Sequence, residues 1–581
     1  MIIGIDLGTT NSVAAVLGED GPRLIQNALG QSLTPSVVAI DEQNSLLVGR
    51  IAKEFQVTNP QACMAVFKRY MGSDWKTSLN GRTFTPEQLS SLVLRQLKQD
   101  AEASLGEQIA DVVITVPAYF QEPQRKATIQ AGRIAGFNVR RILNEPTAAA
   151  LAYGFHEARE DKILVVLDLG GGTFDVSVVE HFGGTLEVRA SAGESFLGGE
   201  DFTRTMTARV LESMGLVFER IELEAPKLVS RLMQQCESAK CLLSRQELAT
   251  VRIPDRRGEY HDDSPVAEIT REQFYKWTEN ILARIEMPIR RALGDAGLKP
   301  ADVQEVILAG GATRMPQFQQ RIAELFGRPP QCRLNPDEVV ALGAAVQAGL
   351  IADHRSVEDL VVTDVCPFTL GIEISKNLGD EHRPGYFMPI LHRNTTIPAS
   401  RVERVNTVRP NQPVVSVKVF QGEGRRVENN LLLGEFDVPG IPSGPAGQEV
   451  DVRLTYDLNG VLEVEATIVE TKQRVTHLIT RHARGMSEAD IARAVAEMQT
   501  LKTHPREESV NRFLLQRAER LFQELPRTER GWLTSLLDGF ESALALQDAE
   551  AIAKFREELT EFLDRFDLGL DENGTGGEHE L

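Results

Sequence analysis

Ile5-Asp6-Leu7-Gly8-Thr9-Thr10-Asn11-Ser12 opens the chain, and Leu167-Asp168-Leu169-Gly170-Gly171-Gly172-Thr173-Phe174-Asp175 repeats its grammar further on. In each copy an apolar run ends in an aspartate, passes through glycine and hydroxyl residues, and leads into a second apolar run, Val13 to Leu17 or Val176 to Val179. That pattern predicts a β-hairpin closed by a glycine turn. Glycine lets the backbone approach a ligand and turn N–H groups toward phosphate oxygens, threonine hydroxyls add donors, and the aspartate leading into the turn can hold a hydrated Mg²⁺. One such phrase alone is more often an ordinary hairpin turn. Two, each flanked by strands, predict a pair of facing turns that clamp a nucleotide.

The rest of the composition agrees with a multidomain chain. Its 581 residues suit roughly three or four domains of about 150 residues. Hydrophobic residues make up 42% and charged residues 25%, the balance of a globular protein rather than a disordered one. A formal net charge of −20 repels nucleic acid and anionic lipid, so neither is an expected partner. The first residues enter a strand directly, without a basic-then-apolar leader, and no apolar run reaches the ~18 residues of a membrane span, so a soluble, cytoplasmic protein is expected. The five cysteines are scattered and odd in number, which fits a reducing compartment better than a disulfide framework, and Cys236 and Cys241, five apart in a helical pattern without His or Cys at ligand spacing, are expected as buried or half-buried thiols rather than metal ligands.

Along the chain, residues 1 to 355 alternate β and α patterns; Val112 to Val116 and Val303 to Leu308 read as buried strands separated by amphipathic helices. Residues 356 to 365 form a short connecting segment. From 366 to 485 the pattern is all-β, with alternating runs such as Val414 to Val419 and Val450 to Leu454, and turn signals at Asn411-Gln412-Pro413, Pro439-Gly440 and Leu458-Asn459-Gly460. A β-sandwich is the expected form. Residues 486 to 568 turn helical, opening on a capping box at Ser487-Glu488-Ala489-Asp490. The Gly-rich, acidic stretch 569 to 581 is expected to be disordered.

Six motifs in this order carry a resemblance. They are Gly4 to Thr10, Val116-Pro117-Ala118-Tyr119-Phe120, Asn144-Glu145-Pro146-Thr147-Ala148-Ala149, the second glycine turn, Gly310-Gly311-Ala312-Thr313-Arg314-Met315-Pro316, and Asn335-Pro336-Asp337-Glu338. With Arg393 to Pro398 and Leu433-Gly434-Glu435-Phe436 in the β region, the chain resembles the 70-kDa heat-shock (DnaK-type) chaperones over nearly its whole length. The shorter bacterial HscC-type members look nearest. The resemblance implies an actin-like α/β ATPase domain with duplicated lobes, a β-sandwich peptide-binding domain and a short helical lid. It also implies ATP or ADP with Mg²⁺, with K⁺ as a further candidate ion. The implied partners are unfolded or extended polypeptide clients and a J-domain co-chaperone, with the need for a nucleotide exchange factor left open.

Carried residue by residue, the resemblance assigns catalysis to Lys68, Glu145 and Asp175, with Ser195 where the family usually has a threonine near the γ-phosphate. Gly8, Thr9, Thr10, Asn11, Gly171, Gly172 and Thr173 would face the phosphates, and Asp6 and Asp168 would hold Mg²⁺ through its waters. Adenosine recognition would fall to Glu237, Lys240 and Ser244, spaced to share one helix face, and to Gly311, Arg314 and Asp337 opposite. Cys241 stands where the family commonly stacks an arginine on adenine. In the β region Ile372, Ile374, Val405, Val415 and Val417 would line a peptide pocket, and Ser375 and Val408 would arch over it; each reads equally as sandwich core. Arg141, Leu360, Val361, Val362 and Asp364 match positions that couple the domains, although Thr363 interrupts the family's usual Leu-rich linker.

Other nucleotide-clamping classes remain open on residues 1 to 355 alone. A sugar kinase or a filament-forming ATPase shares the duplicated clamp, but neither uses an appended sandwich and helical segment. No Gly-x-x-x-x-Gly-Lys-Ser/Thr run occurs, which excludes a P-loop enzyme.

Overall fold

The computed structural model describes residues 1–41, 46–156, 161–182, 185–261, 263–357, 361–378, 381–457, 462–479, 514–515, 518, 527–546 and 548–567. Two large sheets repeat one topology. In the first, Ile2–Asp6, Asn11–Gly18 and Gly21–Ile25 form an antiparallel meander, and Ile2–Asp6 takes Asp111–Val116 on its other edge in parallel, followed by Asn138–Asn144. In the second, Lys162–Leu169, Phe174–Phe182 and Thr185–Glu194 form the meander and Glu305–Ala309 is the parallel neighbour. The expected strand from Val303 begins two residues later, because Pro300–Asp302 closes a 3₁₀ turn that ends at Val303.

Sheets covered on both faces read as continuous apolar runs rather than alternating ones. Asn11–Gly18 and Lys162–Leu169 follow that rule, each buried over six consecutive residues. Between the sheets lie the helices Glu145–His156 and Val339–Ile351. The second carries no charged residue, as suits a helix buried all round. A Cβ at Gly343 would stand 1.6 Å from the Ala148 carbonyl oxygen, so only glycine permits this helix crossing. Apolar residues from both sheets and both helices share one core, which includes Val113, Leu151, Val166, Ile307 and Val346.

The β-rich part is a sandwich of two four-stranded sheets. One has the order Glu381–Leu391, Leu370–Leu378, Val414–Gln421, Leu431–Pro439; the other runs Ala399–Asn406, Glu449–Tyr456, Leu462–Ile468, Arg474–Ile479. Ile372, Val417, Val419, Val452, Leu454 and Val464 fill the space between them. The turn expected at Leu458-Asn459-Gly460 lies outside the described residues.

The segment expected as a connector is structured. Val361–Val365 is a strand that extends the second large sheet, pairing in parallel through Thr185↔Val361, Leu186↔Val362 and Glu187↔Thr363, and then pairs with Thr396–Ile397 through Asp364↔Ile397 and Val365↔Thr396. Leu360 lies outside the described residues. Around this strand Arg393 forms an ion pair with Asp295 at 2.8 Å, Asn394 donates to the same carboxylate at 3.0 Å, and Ser191 donates its backbone N–H to Asn394 Oδ1 at 3.1 Å. A cavity of about 500 Å³ beside these contacts is lined by Arg189, Asp295, Thr369, Arg393 and Glu423 among others.

Toward the C-terminus, helices Arg527–Leu546 and Ala549–Asp567 pack on one another through Leu533, Phe540, Leu544, Leu559 and Leu563. Asp548 starts the second by accepting from the backbone N–H groups of Glu550 and Ala551 at 3.1 and 3.0 Å. The expected cap at Ser487 and the acidic tail lie outside the described residues. Among the described residues, no helix is long and apolar enough to cross a membrane. Cys236 is buried as expected, whereas Cys241 is exposed, because their helix buries the face that carries Cys236 and Ala239; of the other cysteines Cys63 and Cys366 are buried and Cys332 is exposed.

Candidate functional site

The two glycine turns meet. A Cβ on Gly171 would stand 1.8 Å from Thr10 Oγ1, and one on Gly198 would stand 2.4 Å from the backbone nitrogen of Gly172. Gly199 and Glu200 donate their N–H groups to the carbonyls of Gly170 and Gly171, both at 2.9 Å, which fastens the loop containing Ser195 against the second turn. Ser195 itself is half-buried in that loop.

Behind the turns lies a buried charge cluster. Asp6 ends the first strand and accepts a hydrogen bond from Thr115 Oγ1 at 2.9 Å. Asp168 and Asp175 are register partners across the second hairpin. Lys68, on the short 3₁₀ helix Phe67–Tyr70, pairs with Glu145 at 2.7 Å, with both side chains under a tenth exposed. Asp175 Oδ1 accepts from the backbone N–H of Tyr119 at 3.1 Å, while its Oδ2 is buried without a hydrogen-bond partner. Burial, and then the Glu145 charge, push Asp6 up to about 7 and Asp175 up to about 8. Burial raises Asp168 well above the usual carboxylate range, with Glu145, Asp175 and Asp6 adding to it. Four carboxylates here face one ammonium. Such a cluster favours a cation, because a neighbouring positive charge restores the ionised forms.

The second group of candidates flanks the turns. Lys240 donates to Glu237 at 2.6 Å, to the Gly199 carbonyl at 2.9 Å and to Thr203 Oγ1 at 2.9 Å. Burial works against ionising Glu237, but the Lys240 charge and the Lys240 and Thr203 hydrogen bonds hold it below its ordinary range. Ser244 sits at the helix C-cap and donates to the Lys240 carbonyl at 3.4 Å. On the other side Arg314 pairs with Asp337 at 2.9 Å, and a Cβ on Gly311 would lie 2.4 Å from Asp337 Oδ1. The exposed Cys241 thiol donates to Glu237 Oε1 at 3.6 Å and is close enough for the Asp337 charge to raise it further beyond the effect of burial and Glu237.

Sequence reasoning passed over Arg69. Its guanidinium donates to the Gly172 carbonyl at 3.1 Å, pairs with Asp201 at 2.6 Å, and stands 5.9 Å from the centroid of the Phe196 ring. It therefore ties the first lobe to both the second turn and the Ser195 loop. Its adjacency to Lys68 was the available signal, but an arginine in isolation reads as a solvated surface charge.

A family model described as Hsp70 protein matches residues 2–79 and 75–563. The chain belongs to the Hsp70 family. Hsp70 proteins are ATPases with a general chaperone function that bind ATP or ADP with Mg²⁺, and residues of this chain fit those groups. The partnerless Asp175 Oδ2 and the excess carboxylate suit a hydrated cation, and the paired turns bring the Thr9 and Thr10 hydroxyls against the glycine backbone of Gly171 and Gly172, the donor types a phosphate would meet. Among the described residues no three His, Cys, Asp or Glu side chains converge as direct ligands of one metal.

Ile372 and Val417 are buried in the sandwich core, with Ile374, Val405 and Val415 half-buried against it; Val408 and Ser375 are half-buried and outside that cluster. Asp364 is half-buried on the connecting strand, where Asn144 donates to it and the charges of Arg125 and Arg141 reach it.

Proposed function

We propose that this Hsp70 protein uses ATP hydrolysis to control binding and release of short apolar stretches of unfolded polypeptide. In this reading residues 1–355 hold the nucleotide, 366–485 bind the peptide, 356–365 couple the two, and 486–568 act as a lid. The observation that carries it is the strand Val361–Val365, hydrogen-bonded at one end to the second large sheet and at the other to the sandwich. A tether alone has no reason to pair with both.

Phosphoryl transfer asks for held phosphates, neutralised charge and a placed water rather than covalent work. Gly8, Thr9, Thr10 and Asn11 from one turn and Gly171, Gly172 and Thr173 from the other would donate to the phosphates. Asp6 and Asp168 would hold the ion through its waters, and Mg²⁺ supplies charge neutralisation at the phosphates when bound. Lys68, already desolvated against Glu145, would orient the attacking water and stabilise charge on the γ-phosphoryl oxygens, while Glu145 and Asp175 accept hydrogen bonds from that water or the ion's shell. The water oxygen bonds to phosphorus as the bond to the β–γ bridging oxygen breaks, and ADP leaves. Arg141 and the surface around Asp364 would receive a J-domain co-chaperone.

ATPase assays with an unfolded apolar peptide, and separately with glucose or glycerol, test the proposal. Stimulation by the peptide is expected. Phosphorylation of a sugar, or nucleotide-dependent filaments without peptide stimulation, would replace it with the kinase or filament reading, both of which leave the sandwich unexplained.

A further inference from the structure

In the hairpin Leu370–Leu378/Glu381–Leu391, Tyr386 is the cross-strand partner of Ile374, and Met388 that of Ile372, so the Tyr386 ring stands on the same face as both candidate pocket residues. Three cations from two separate segments surround that ring. The Arg426 guanidinium is 4.4 Å from its centroid, Lys376 Nζ is 5.4 Å away, and the Arg425 guanidinium is 5.9 Å away. Cation–π attraction gathers these groups but does not cancel their charge. Among the described residues, the carboxylate within ion-pair reach of any of the three is Glu428, 4.0 Å from Arg426 and itself 73% exposed.

A fourth cation follows the other arch position. Ser375 and Val408, the two arch positions, are followed in sequence by Lys376 and Arg409, and both of these cations are exposed. Arg409 has no ion-pair partner among the described residues. On a chain with net charge −20 an acidic peptide would be repelled at long range, so the three cations gathered at Tyr386, with Arg409 beside the other arch position, would reverse the field where a client's flanks would lie.

We propose that the peptide site of this chain selects extended segments whose apolar core is flanked by Asp or Glu, with Lys376, Arg409, Arg425 and Arg426 as the specificity-determining residues. This rests on the peptide-binding reading above and narrows its substrate class.

Three fluorescein-labelled peptides with one tri-leucine core, flanked by Glu, Lys or Ser, test it by anisotropy on the full chain with ADP. At low salt the Glu-flanked peptide is expected to bind about fivefold or more tightly than the Lys-flanked one, and the gap is expected to narrow at roughly 300 mM salt as screening shortens the field. In Arg425→Ser/Arg426→Ser and in Lys376→Ser/Arg409→Ser the gap is expected to shrink while the Ser-flanked peptide binds as in the parent, which also reports that the variants fold. Equal or reversed affinities with the Ser-flanked peptide still bound would overturn the selectivity and leave the peptide site standing. Failure of all three peptides to bind the parent would overturn both.

Discussion

Asn144 donates its side-chain amide to both carboxylate oxygens of Asp364, at 3.1 Å each. Asn144 ends a strand of the first large sheet, and the next residue, Glu145, begins a helix and pairs with Lys68. One peptide bond therefore separates the buried charge cluster from the contact that holds the connecting strand. Arg125 braces the same asparagine, donating to its Oδ1 at 2.6 Å.

That contact gives docking a pH dependence. Burial holds the Asp364 carboxyl above its ordinary range, against the opposing backbone N–H of Val365, the Arg125 and Arg141 charges and the Asn144 amide. The docked arrangement thus binds a proton more tightly than an undocked one in which Asp364 meets water. By linkage, this contribution to docking is fully present below the ordinary carboxylate pKa and is lost as pH rises through the raised value. The docked fraction, followed by energy transfer between dyes on the two parts, should fall as pH rises from the ordinary carboxylate range toward neutrality. Asp364→Asn keeps an acceptor for Asn144 and should flatten that dependence; an unaltered slope would mean another group titrates.

Lys68 is the single ammonium of a cluster with four carboxylates, three of them buried and Asp6 half-buried, so its loss should act on the chemical step. Lys68→Ala is expected to lower ATP hydrolysis by about 100-fold or more, the scale of removing one electrostatic donor, while the glycine turns retain nucleotide binding. Single-turnover hydrolysis alongside calorimetric binding separates the two effects. Hydrolysis at the parental rate would remove Lys68 from the catalytic set.

Cys241 faces the Glu237 carboxylate from an exposed position on the helix Pro226–Leu243. Cys241→Arg would add a guanidinium that can stack on a base, an interaction of about 0.5–2 kcal/mol, so ADP should bind more tightly and leave more slowly. Stopped-flow release of a fluorescent ADP analogue measures this directly, and an unchanged or faster release would place residue 241 away from the base.

What could be read from the sequence follows from how local each pattern is. The two hairpins, Asp6 and Asp168 were legible because strand, glycine turn and strand are adjacent in the chain. Lys68 became a candidate only through the resemblance, since nothing near it in sequence marks a partner 77 positions away. Arg69 and Asp201, 132 positions apart, and Tyr119 beneath Asp175 went unread for the same reason. The exposure of Cys241 and Cys332 was likewise invisible, because an apolar side chain signals burial without saying which face of its element is covered. Val361 and Val362 were legible as apolar residues out of place in a tether, but their strand partners Thr185 and Leu186 come from a distant hairpin.

Those pairings set the last expectation. Val362 packs half-buried against the core shared by the two lobes, near Leu186, Val188 and Val365, and the strand's backbone completes the edge of the second large sheet. A carboxylate at that position would be desolvated without a partner, which costs more than the edge pairing returns. The double variant Val361→Asp/Val362→Asp should therefore undock the strand while leaving the glycine turns, and hence basal nucleotide binding, intact. ATP and peptide bias the same equilibrium in opposite directions only if the two parts are joined through this strand, with a coupling of about 1–3 kcal/mol. Its removal should abolish both ATP-driven peptide release and peptide-stimulated hydrolysis. Peptide dissociation followed by fluorescence anisotropy after ATP addition reads the first, and release as fast as in the parent would reduce the strand to a tether.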